Sequence, residues 1–339
     1  MLAAERLTAQ LLAGPREVTP VAVAARLLAI QAQDLRGARL AVRARTTGVL
    51  ASDVDRALTE DRSLVVSWLN RGTLHLVRAE DHPWLHALTT PRLVTTNRRR
   101  LQQEGVSETA ADRGVARIER ALADEGPLTR DELRERLDAV GVPTAGQALV
   151  HVLVAATLRG LIVRGPMKGR SQAFVLVPDW LGEPPVVDRE AALAELARRY
   201  LAGHGPASDR DLAAWAGIGL RDARRGLTAI AGELTDHRDG LVDLAARDAA
   251  APLPGPRLLG PFDPVLHGWA SRDWVVDGHG DVVTSNGIFR PIALVGGRAA
   301  ATWTFPGGEV RLSPFGRMDP RDAEALAADA MEVAAFLAG

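Results

Sequence analysis

The sequence predicts an α+β protein made of three similar helical units, each closed by a β-hairpin, followed by a smaller β-rich region. At residues 64–79 the helical spacing of apolar residues gives way to two β-rich runs around a turn, and the same succession returns from residue 107. From about residue 252 the composition turns to proline, glycine and β-forming residues. A chain of 339 residues has room for several such domains.

The first unit, residues 1–95, contains three predicted helices and one hairpin. Apolar residues recur at helical spacing in "AERLTAQLLA", "PVAVAARLLAIQAQ" and "ASDVDRALTED". The hairpin is "LVVSWLNRGTLHLVRA", in which Asn70, Arg71 and Gly72 separate two β-rich runs. Three helices closed by a hairpin form the outline of a winged helix, a helix-turn-helix variant whose hairpin is the wing.

The same outline recurs in the next two units. Residues 96–187 contain "SETAADRGVARIERALADEG", "LTRDELRERLDAVG", "TAGQALVHVLVAATLRG" and a hairpin with its tip at residues 165–170. Residues 188–251 contain "EAALAELARRYLAGHG", "ASDRDLAAWAGIGL", "RDARRGLTAIAGEL" and a weaker β-like run, "GLVDLAA". We therefore expect three winged-helix domains in tandem.

The last region, residues 252–339, is predicted to be an antiparallel, β-barrel-like sheet with a terminal helix. A linker, "APLPGPRLLGPFDPV", leads into it. Two apolar runs in "GIFRPIALVGGRAAATWTF" are joined by Gly296 and Gly297, which is typical of a two-residue hairpin turn. Asp319 as the cap and Pro320 at the first helical position mark the start of the terminal helix.

Composition excludes several kinds of protein. Cysteine is absent, which rules out disulfides, thiolate metal sites and a cysteine nucleophile and suits the cytoplasm, where we expect this protein. Glu5 and Arg6 stand where a signal peptide would be apolar, and no run approaches the roughly 20 apolar residues of a membrane span. The net charge of −1 gives no basic footprint at whole-chain level. Lys168 is the only lysine; arginine suits phosphate or base edges as a bidentate donor, but codon usage in a GC-rich genome is the favoured explanation of the imbalance.

The fingerprints of many enzyme classes are missing. The chain has no phosphate-binding glycine loop, no HExxH and no GxSxG, and we expect no cofactor. His82 and His86, with His75 nearby, have a spacing that allows two of them to share a helix face toward a metal. Because Asp81 and Pro83 are typical of a helix start and no third ligand is evident, we expect no metal site.

Other polar groups have both a structural and a functional interpretation. Asp263 and the pair Arg272 and Asp273 either hold a ligand or order a proline-rich turn, and the turn is favoured. Two basic clusters either contact DNA phosphates or form a solvated face. These clusters are Arg98, Arg99 and Arg100 in the run "NRRR", and Arg164, Lys168 and Arg170 on the predicted second wing.

Gln31 and Gln33 are the candidate catalytic residues. In a helix, residues i and i+2 point in nearly opposite directions, so both side chains face one site only where the helix ends or the segment is extended. Asp34 to Gly37 follow immediately, which permits such an end. An amide both donates and accepts hydrogen bonds, so two glutamines can hold a water and aim it at an electrophile. The competing interpretation, two exposed polar residues at a helix end, is the one that the residues alone favour.

Several segments together resemble the AlkZ-like DNA glycosylases. The resemblance is carried by "LLAIQAQD" followed by "VRAR", by "SWLNRGTLHLV", by "GPASDRDLAAWAGI" and by "LLGPFDPVLHGW", and it covers nearly the whole chain in the family's order. It implies three tandem winged helices and a C-terminal β-barrel around a central DNA-binding cleft.

The resemblance also implies an activity. The family's signature is Gln, an apolar residue, then Gln or Asp; here it reads Gln31-Ala32-Gln33 and is similar to the branch that includes enzymes unhooking interstrand crosslinks. An N7-alkylated guanine is cationic and leaves readily, so two glutamines aligning a water at C1′ suffice. A lyase activity would need an amine, and Lys168 stands far along the chain. We therefore expect a monofunctional glycosylase for alkylated purines.

The remaining expectations concern DNA. By resemblance, Arg71, Thr73 and His75 on the first hairpin reach toward the DNA, although a buried, hydrogen-bonded His75 explains "TLHLV" equally well. The expected partner is lesion-containing duplex DNA, bound by a monomer. The main alternative is a non-catalytic winged-helix regulator, which would read two half-sites as a dimer. A third hypothesis is a metal-dependent hydrolase that uses His75, His82 and His86.

Overall fold

A computed structural model describes all 339 residues, and the chain divides into two compact units. The first unit is discontinuous and combines Met1–Val54 with Leu193–Gly339; the second is Asp55–Ala192. The mixture of helices and antiparallel sheets confirms the α+β class. The boundaries of the four predicted domains, 1–95, 96–187, 188–251 and 252–339, stay predictions.

The N-terminal segment contains more helices than the sequence predicted. Thr19 accepts a hydrogen bond from Ala22 N and Pro20 occupies the first helical position, which fixes the start of the second helix. That helix ends before the glutamines, and a further helix, missed from sequence, begins at Leu35. The elements are α1 (Leu2–Ala9), α2 (Pro20–Leu27), β1 (Ile30–Gln31), α3 (Leu35–Arg43) and α4 (Ala51–Thr59).

The second unit contains both predicted hairpins. Its four strands form an antiparallel sheet in the order β3-β2-β4-β5, with Leu69 paired with Thr73 at the first hairpin's turn. The elements are β2 (Leu64–Leu69), β3 (Thr73–Arg78), α5 (His82–Thr89), α6 (Leu93–Gln103), α7 (Glu108–Glu125), α8 (Arg130–Asp138), α9 (Ala148–Leu158), β4 (Ile162–Lys168), β5 (Ser171–Leu176) and α10 (Val177–Leu181).

The C-terminal segment of the first unit begins with a third set of three helices followed by a strand pair. These elements are α11 (Arg189–His204), α12 (Asp209–Ala216), α13 (Leu220–Ala229), β6 (Leu234–Asp236) and β7 (Val242–Leu244). The helix and strand order agrees with the predicted repeat, while the number of winged-helix domains stays a prediction.

The chain ends in an open sheet rather than a barrel. Its strands lie in the order β11-β10-β9-β8, and the two outer strands do not pair. The predicted turn at Gly296 and Gly297 joins the two middle strands, and Asp319 caps the terminal helix as expected. The elements are β8 (Arg257–Leu259), α14 (Asp273–Val276), β9 (Ile292–Val295), β10 (Arg298–Thr304), β11 (Arg311–Pro314) and α15 (Pro320–Ala338).

Both faces of this open sheet are covered by apolar side chains. One cluster includes Leu7, Leu259 and Ile292, and another includes Leu258, Trp303 and Phe336. The N-terminal helices therefore share a core with the last strands, although they are more than 200 residues apart in sequence. No helix of the chain is both long and apolar enough to span a membrane.

Candidate active site

Gln31 and Gln33 lie in the connection between α2 and α3. Leu28 ends α2 with φ +64°, a left-handed conformation in which the chain reverses, and Ile30–Gln31 then forms β1. Asp34 begins α3 by accepting a hydrogen bond from Arg36 N at 2.9 Å. The helix thus ends before the glutamines, as the geometric requirement stated above demands; of the pair, only Gln31 lies in the strand, and Gln33 lies in a bend just before α3.

The two side chains differ in their surroundings. Gln31 is 7% exposed, and its Oε1 is buried without a hydrogen-bond partner. Ala32 is buried and Gln33 is exposed. A buried amide oxygen without a partner carries a free-energy cost of about 1–3 kcal/mol, which a bound water or substrate donor would remove. Gln31 Oε1 is therefore available to accept a hydrogen bond.

Helix α3 is held close to the loop after β8. A Cβ at Gly37 would lie 2.5 Å from Pro261 O, and a Cβ at Gly260 would lie 2.7 Å from the Leu40 Cβ, so both glycines are needed for this approach. Gly37 lies in the first turn of α3, and Gln33 precedes the N-cap Asp34 by one residue. The loop thus fixes the helix whose start orients the second glutamine.

Two buried arginines at the other end of α3 complete its anchoring. Arg43 donates to both carboxylate oxygens of Asp329 on α15. Arg45 and Asp263 are both 0% exposed and form a bidentate pair at 2.8 and 2.9 Å. Asp263 also accepts a hydrogen bond from Val265 N, so it orders the turn as the sequence favoured. These charge-assisted bonds hold α3 rigidly.

The first hairpin carries three predicted DNA-contacting residues in different environments. Arg71 is exposed at the turn, whereas Thr73 is half-buried and its Oγ1 has no hydrogen-bond partner. His75 is 2% exposed and shares a hydrogen bond with Thr73 O at 2.9 Å. Burial, and to a lesser degree the Arg71 guanidinium, lowers the pKa of His75 to about 3. His75 is therefore neutral at physiological pH and is not a cation for phosphate.

Asn70 at this turn is a residue that sequence reasoning did not single out. It is fully buried with φ +52°, and neither atom of its side-chain amide has a hydrogen-bond partner. The only signal in the sequence is the turn itself, because asparagine tolerates the left-handed conformation better than most residues.

The three arginines of the run "NRRR" are exposed on α6. Arg98 lies 3.8 Å from Glu108, and Arg100 donates to Gln103. No partner competes for the guanidinium of Arg99. Such side chains are accessible to a phosphate.

The basic residues of the second hairpin have diverse environments. The Arg164 guanidinium is half-buried over the rings of Trp68 and Phe174, at 5.1 and 4.9 Å, and burial lowers its pKa to about 10. Lys168 forms an ion pair with Glu132 at 2.6 Å, and Arg170 is exposed at the tip. Arg164 therefore packs on aromatic rings, a role that its position in the sequence did not indicate.

The predicted histidine group has hydrogen bonds within the second unit. His82 Nε2 lies 3.2 Å from Ser67 Oγ, and His86 Nε2 lies 2.9 Å from Thr157 O. No three histidine, aspartate or glutamate side chains are grouped in a way that would hold a metal ion.

Comparison with known proteins defines the class to which this fold and glutamine pair belong. A family model described as DNA glycosylase AlkZ-like matches residues 24–336. The chain belongs to the AlkZ-like DNA glycosylase family, as its sequence motifs predicted.

Two comparisons identify particular relatives. The chain is 29% identical over 343 aligned residues to the interstrand DNA cross-link repair glycosylase of Streptomyces sahachiroi, with 92% of this chain and 89% of that protein covered. The solved structure of Streptomyces sahachiroi DNA glycosylase AlkZ matches with a TM-score of 0.80 and 25% identity, covering 98% of this chain and 96% of that one.

Proposed function

We propose that this chain is a monofunctional DNA glycosylase that hydrolyses the N-glycosidic bond of alkylated purines. Its substrates are N7-alkylguanine lesions, including those in interstrand crosslinks, and it acts as a monomer on duplex DNA. The observation that supports this function best is the buried Gln31 Oε1, which has no hydrogen-bond partner and stands two residues before Gln33, in the connection between α2 and α3.

The mechanism requires modest catalytic power. The N7-alkylated base already carries a positive charge and departs as a neutral group, leaving an oxocarbenium-like sugar. Gln31 and Gln33 hold a water whose hydrogens point to the amide oxygens and whose lone pair points to C1′. The water adds to C1′ as the C1′–N9 bond breaks, and its proton passes to solvent. The products are the free base and an abasic site.

The monofunctional assignment rests on the absence of a suitable amine. A Schiff base needs a neutral amine, which a protein obtains by desolvating a lysine or setting it beside another cation. Lys168 has the opposite surroundings: it is 49% exposed and paired with Glu132. The hydrogen bond from Lys168 is the main reason that the pKa of Glu132 is lowered to about 2, so this carboxylate stays charged at all physiological pH values.

The decisive experiment measures release of free base from duplexes that carry N7-methylguanine or a nitrogen-mustard crosslink. We expect release by the wild-type protein and a loss of about a hundredfold or more in Gln31→Ala and Gln33→Ala, because each removes a group that orients the water. Gln147→Ala, which changes an exposed glutamine in the second unit, is the matched control and should retain full activity.

Two further measurements separate the alternatives. Borohydride should trap no covalent protein–DNA adduct; an adduct would contradict the monofunctional mechanism. A folded protein that binds DNA but releases neither base would overturn the proposed function and favour the non-catalytic regulator.

A further inference from the structure

Asp34, the residue after the glutamine pair, has a carboxylate whose charge is not neutralised by a cationic side chain. The side chain is half-buried and caps α3, because its Oδ1 accepts a hydrogen bond from Arg36 N at 2.9 Å. Its Oδ2 accepts no hydrogen bond within the protein. Asp263 and Asp329, the two carboxylates that anchor α3, are by contrast each paired with an arginine. Asp34 therefore brings an unpaired negative charge to the start of α3.

The chain itself places this charge beside the candidate catalytic residues. Consecutive Cα atoms are about 3.8 Å apart, so Asp34 is adjacent to Gln33 through one peptide bond. The bond to Arg36 N fixes the carboxylate at the helix start. Helix α3 is in turn held by the close approach of Gly37 to the loop after β8. The position of the charge therefore needs no contact from a distant segment to bring it near Gln33.

The proposed reaction develops a positive charge that the glutamines do not offset, because amide side chains carry no net charge. As the C1′–N9 bond breaks, the charge moves from the alkylated base to the sugar. A carboxylate on the side of the water that attacks C1′ therefore stabilises the transition state more than the bound substrate. Such a charge is most effective when it is already fixed in place. At an effective dielectric constant of about 20, two unit charges about 10 Å apart attract strongly enough to change a rate roughly tenfold.

We infer that the Asp34 carboxylate stabilises the oxocarbenium-like sugar electrostatically, in addition to capping α3. This inference rests on the proposed function and adds a charged residue to the two neutral glutamines. Capping alone does not require the charge, because asparagine and serine cap helices about as well as aspartate. A negative charge also repels DNA phosphates, so it opposes binding. The charge of Asp34 therefore acts on the rate of the reaction and not on DNA affinity.

The test separates the charge from the cap. Asp34→Asn keeps a capping side chain and removes the charge, whereas Asp34→Glu keeps the charge on a side chain that is not among the preferred caps. The measurements are the single-turnover rate of N7-methylguanine release, the affinity for an unmodified duplex by fluorescence anisotropy, and the unfolding temperature. We expect Asp34→Asn to lower the rate about tenfold, with an affinity and an unfolding temperature no lower than those of the wild type. Asp34→Glu should retain most of the rate.

A matched control is available at the other end of the chain. Asp319 caps α15 with the same spacing, accepting a hydrogen bond from Arg321 N at 2.8 Å. Asp319→Asn should therefore leave the rate of base release unchanged. If Asp34→Asn does not fold, Asp34→Ser provides the same test, because serine is also a preferred cap.

The outcomes distinguish the inference from the proposed function. An Asp34→Asn protein that folds and releases base at the wild-type rate overturns the inference, while release by the wild type leaves the proposed function standing. A rate that falls in Asp34→Glu but not in Asp34→Asn also overturns the inference, because the cap alone would then matter. A wild-type protein that releases no base overturns both.

Discussion

Arg45 and Asp263 join segments that are 218 residues apart in sequence. Arg45 donates five hydrogen bonds: two to the Asp263 carboxylate, two to Gln10 and one to Ala41 O. Both charges are 0% exposed. A buried pair with every donor satisfied holds specific segments together, whereas removal of one member leaves an uncompensated charge.

We therefore expect Asp263→Ala to lower the free energy of unfolding by about 3–5 kcal/mol. Urea denaturation followed by circular dichroism measures the change. Glu125→Ala is the control, because Glu125 forms an exposed ion pair with Arg136 at 2.7 Å, and such pairs contribute about 0–1 kcal/mol. Equal losses in the two variants would contradict this account of the buried pair.

Individual residues differ in how far the sequence predicted their roles. The structural role of Asp263 followed from its place in a proline-rich turn. The residues after Gln31 only permitted an extended backbone there, because the predicted helix included "PVAVAARLLAIQAQ", whereas α2 ends at Leu27. The packing of Arg164 on Trp68 and Phe174 did not, because these residues come from three different strands. Local sequence does not reveal which rings a distant strand brings to an arginine.

At the scale of elements, α3 was the main omission. Gly37 lies within it and costs about 1 kcal/mol relative to alanine, which lowers the helical signal of this segment. The contact with Pro261 explains why glycine stands there, since any side chain would meet the backbone of the loop. Tertiary packing thus overrides local propensity at this helix.

The first hairpin and α5 make the second unit sensitive to acid. His75 and His82 are 2% and 3% exposed, and burial lowers the pKa of each to about 3 from the ordinary 6.5. Above pH 6.5 both histidines are neutral in the folded chain and in the unfolded chain. As the pH falls from 6.5 toward 3, the unfolded chain binds protons that the folded chain does not, so stability is lost over this range.

The expected slope is about 1.4 kcal/mol per pH unit for each histidine. Urea denaturation at pH 7.0, 6.0 and 5.0 measures it. His82→Gln keeps a hydrogen-bonding group beside Ser67 and removes one titrating ring, so its slope should be shallower by about one proton. A variant with the wild-type slope would show that His82 does not titrate in this way.

At the scale of the whole molecule, the sequence predicted the fold class and the family but not the division into units. Arg6 donates to Pro206 O and Arg43 pairs with Asp329, contacts that span 200 and 286 residues. Sequence reasoning assigns domains to continuous stretches. No local sequence pattern indicates that one unit is assembled from both ends of the chain. Local sequence also does not show whether the edge strands of a sheet pair to close a barrel.

Whole-molecule electrostatics give a further prediction. With a net charge of −1, DNA affinity has to come from local clusters such as the exposed arginines of α6. If Arg99 neutralises one phosphate, Arg99→Gln should reduce the slope of log affinity against log salt concentration by about 0.9.

The control for this measurement is Arg134→Gln, which removes an arginine already paired with Asp131 at 2.8 Å. Fluorescence anisotropy on an unmodified duplex between 50 and 200 mM salt, roughly the range over which such slopes are resolved, gives both values. A slope that Arg99→Gln leaves unchanged would exclude α6 from the phosphate contacts.

The discontinuous first unit also sets the order of events during synthesis. Gln31 leaves the ribosome early, but the loop that packs against α3 and the helix that pairs with Arg43 are made more than 200 residues later. The second unit is continuous, so all of its residues, Asp55–Ala192, have been synthesised before then. The nascent chain therefore carries Gln31 and Gln33 in an unfinished fold, and the packing around α3 is complete only when the C-terminal segment has been released and has docked.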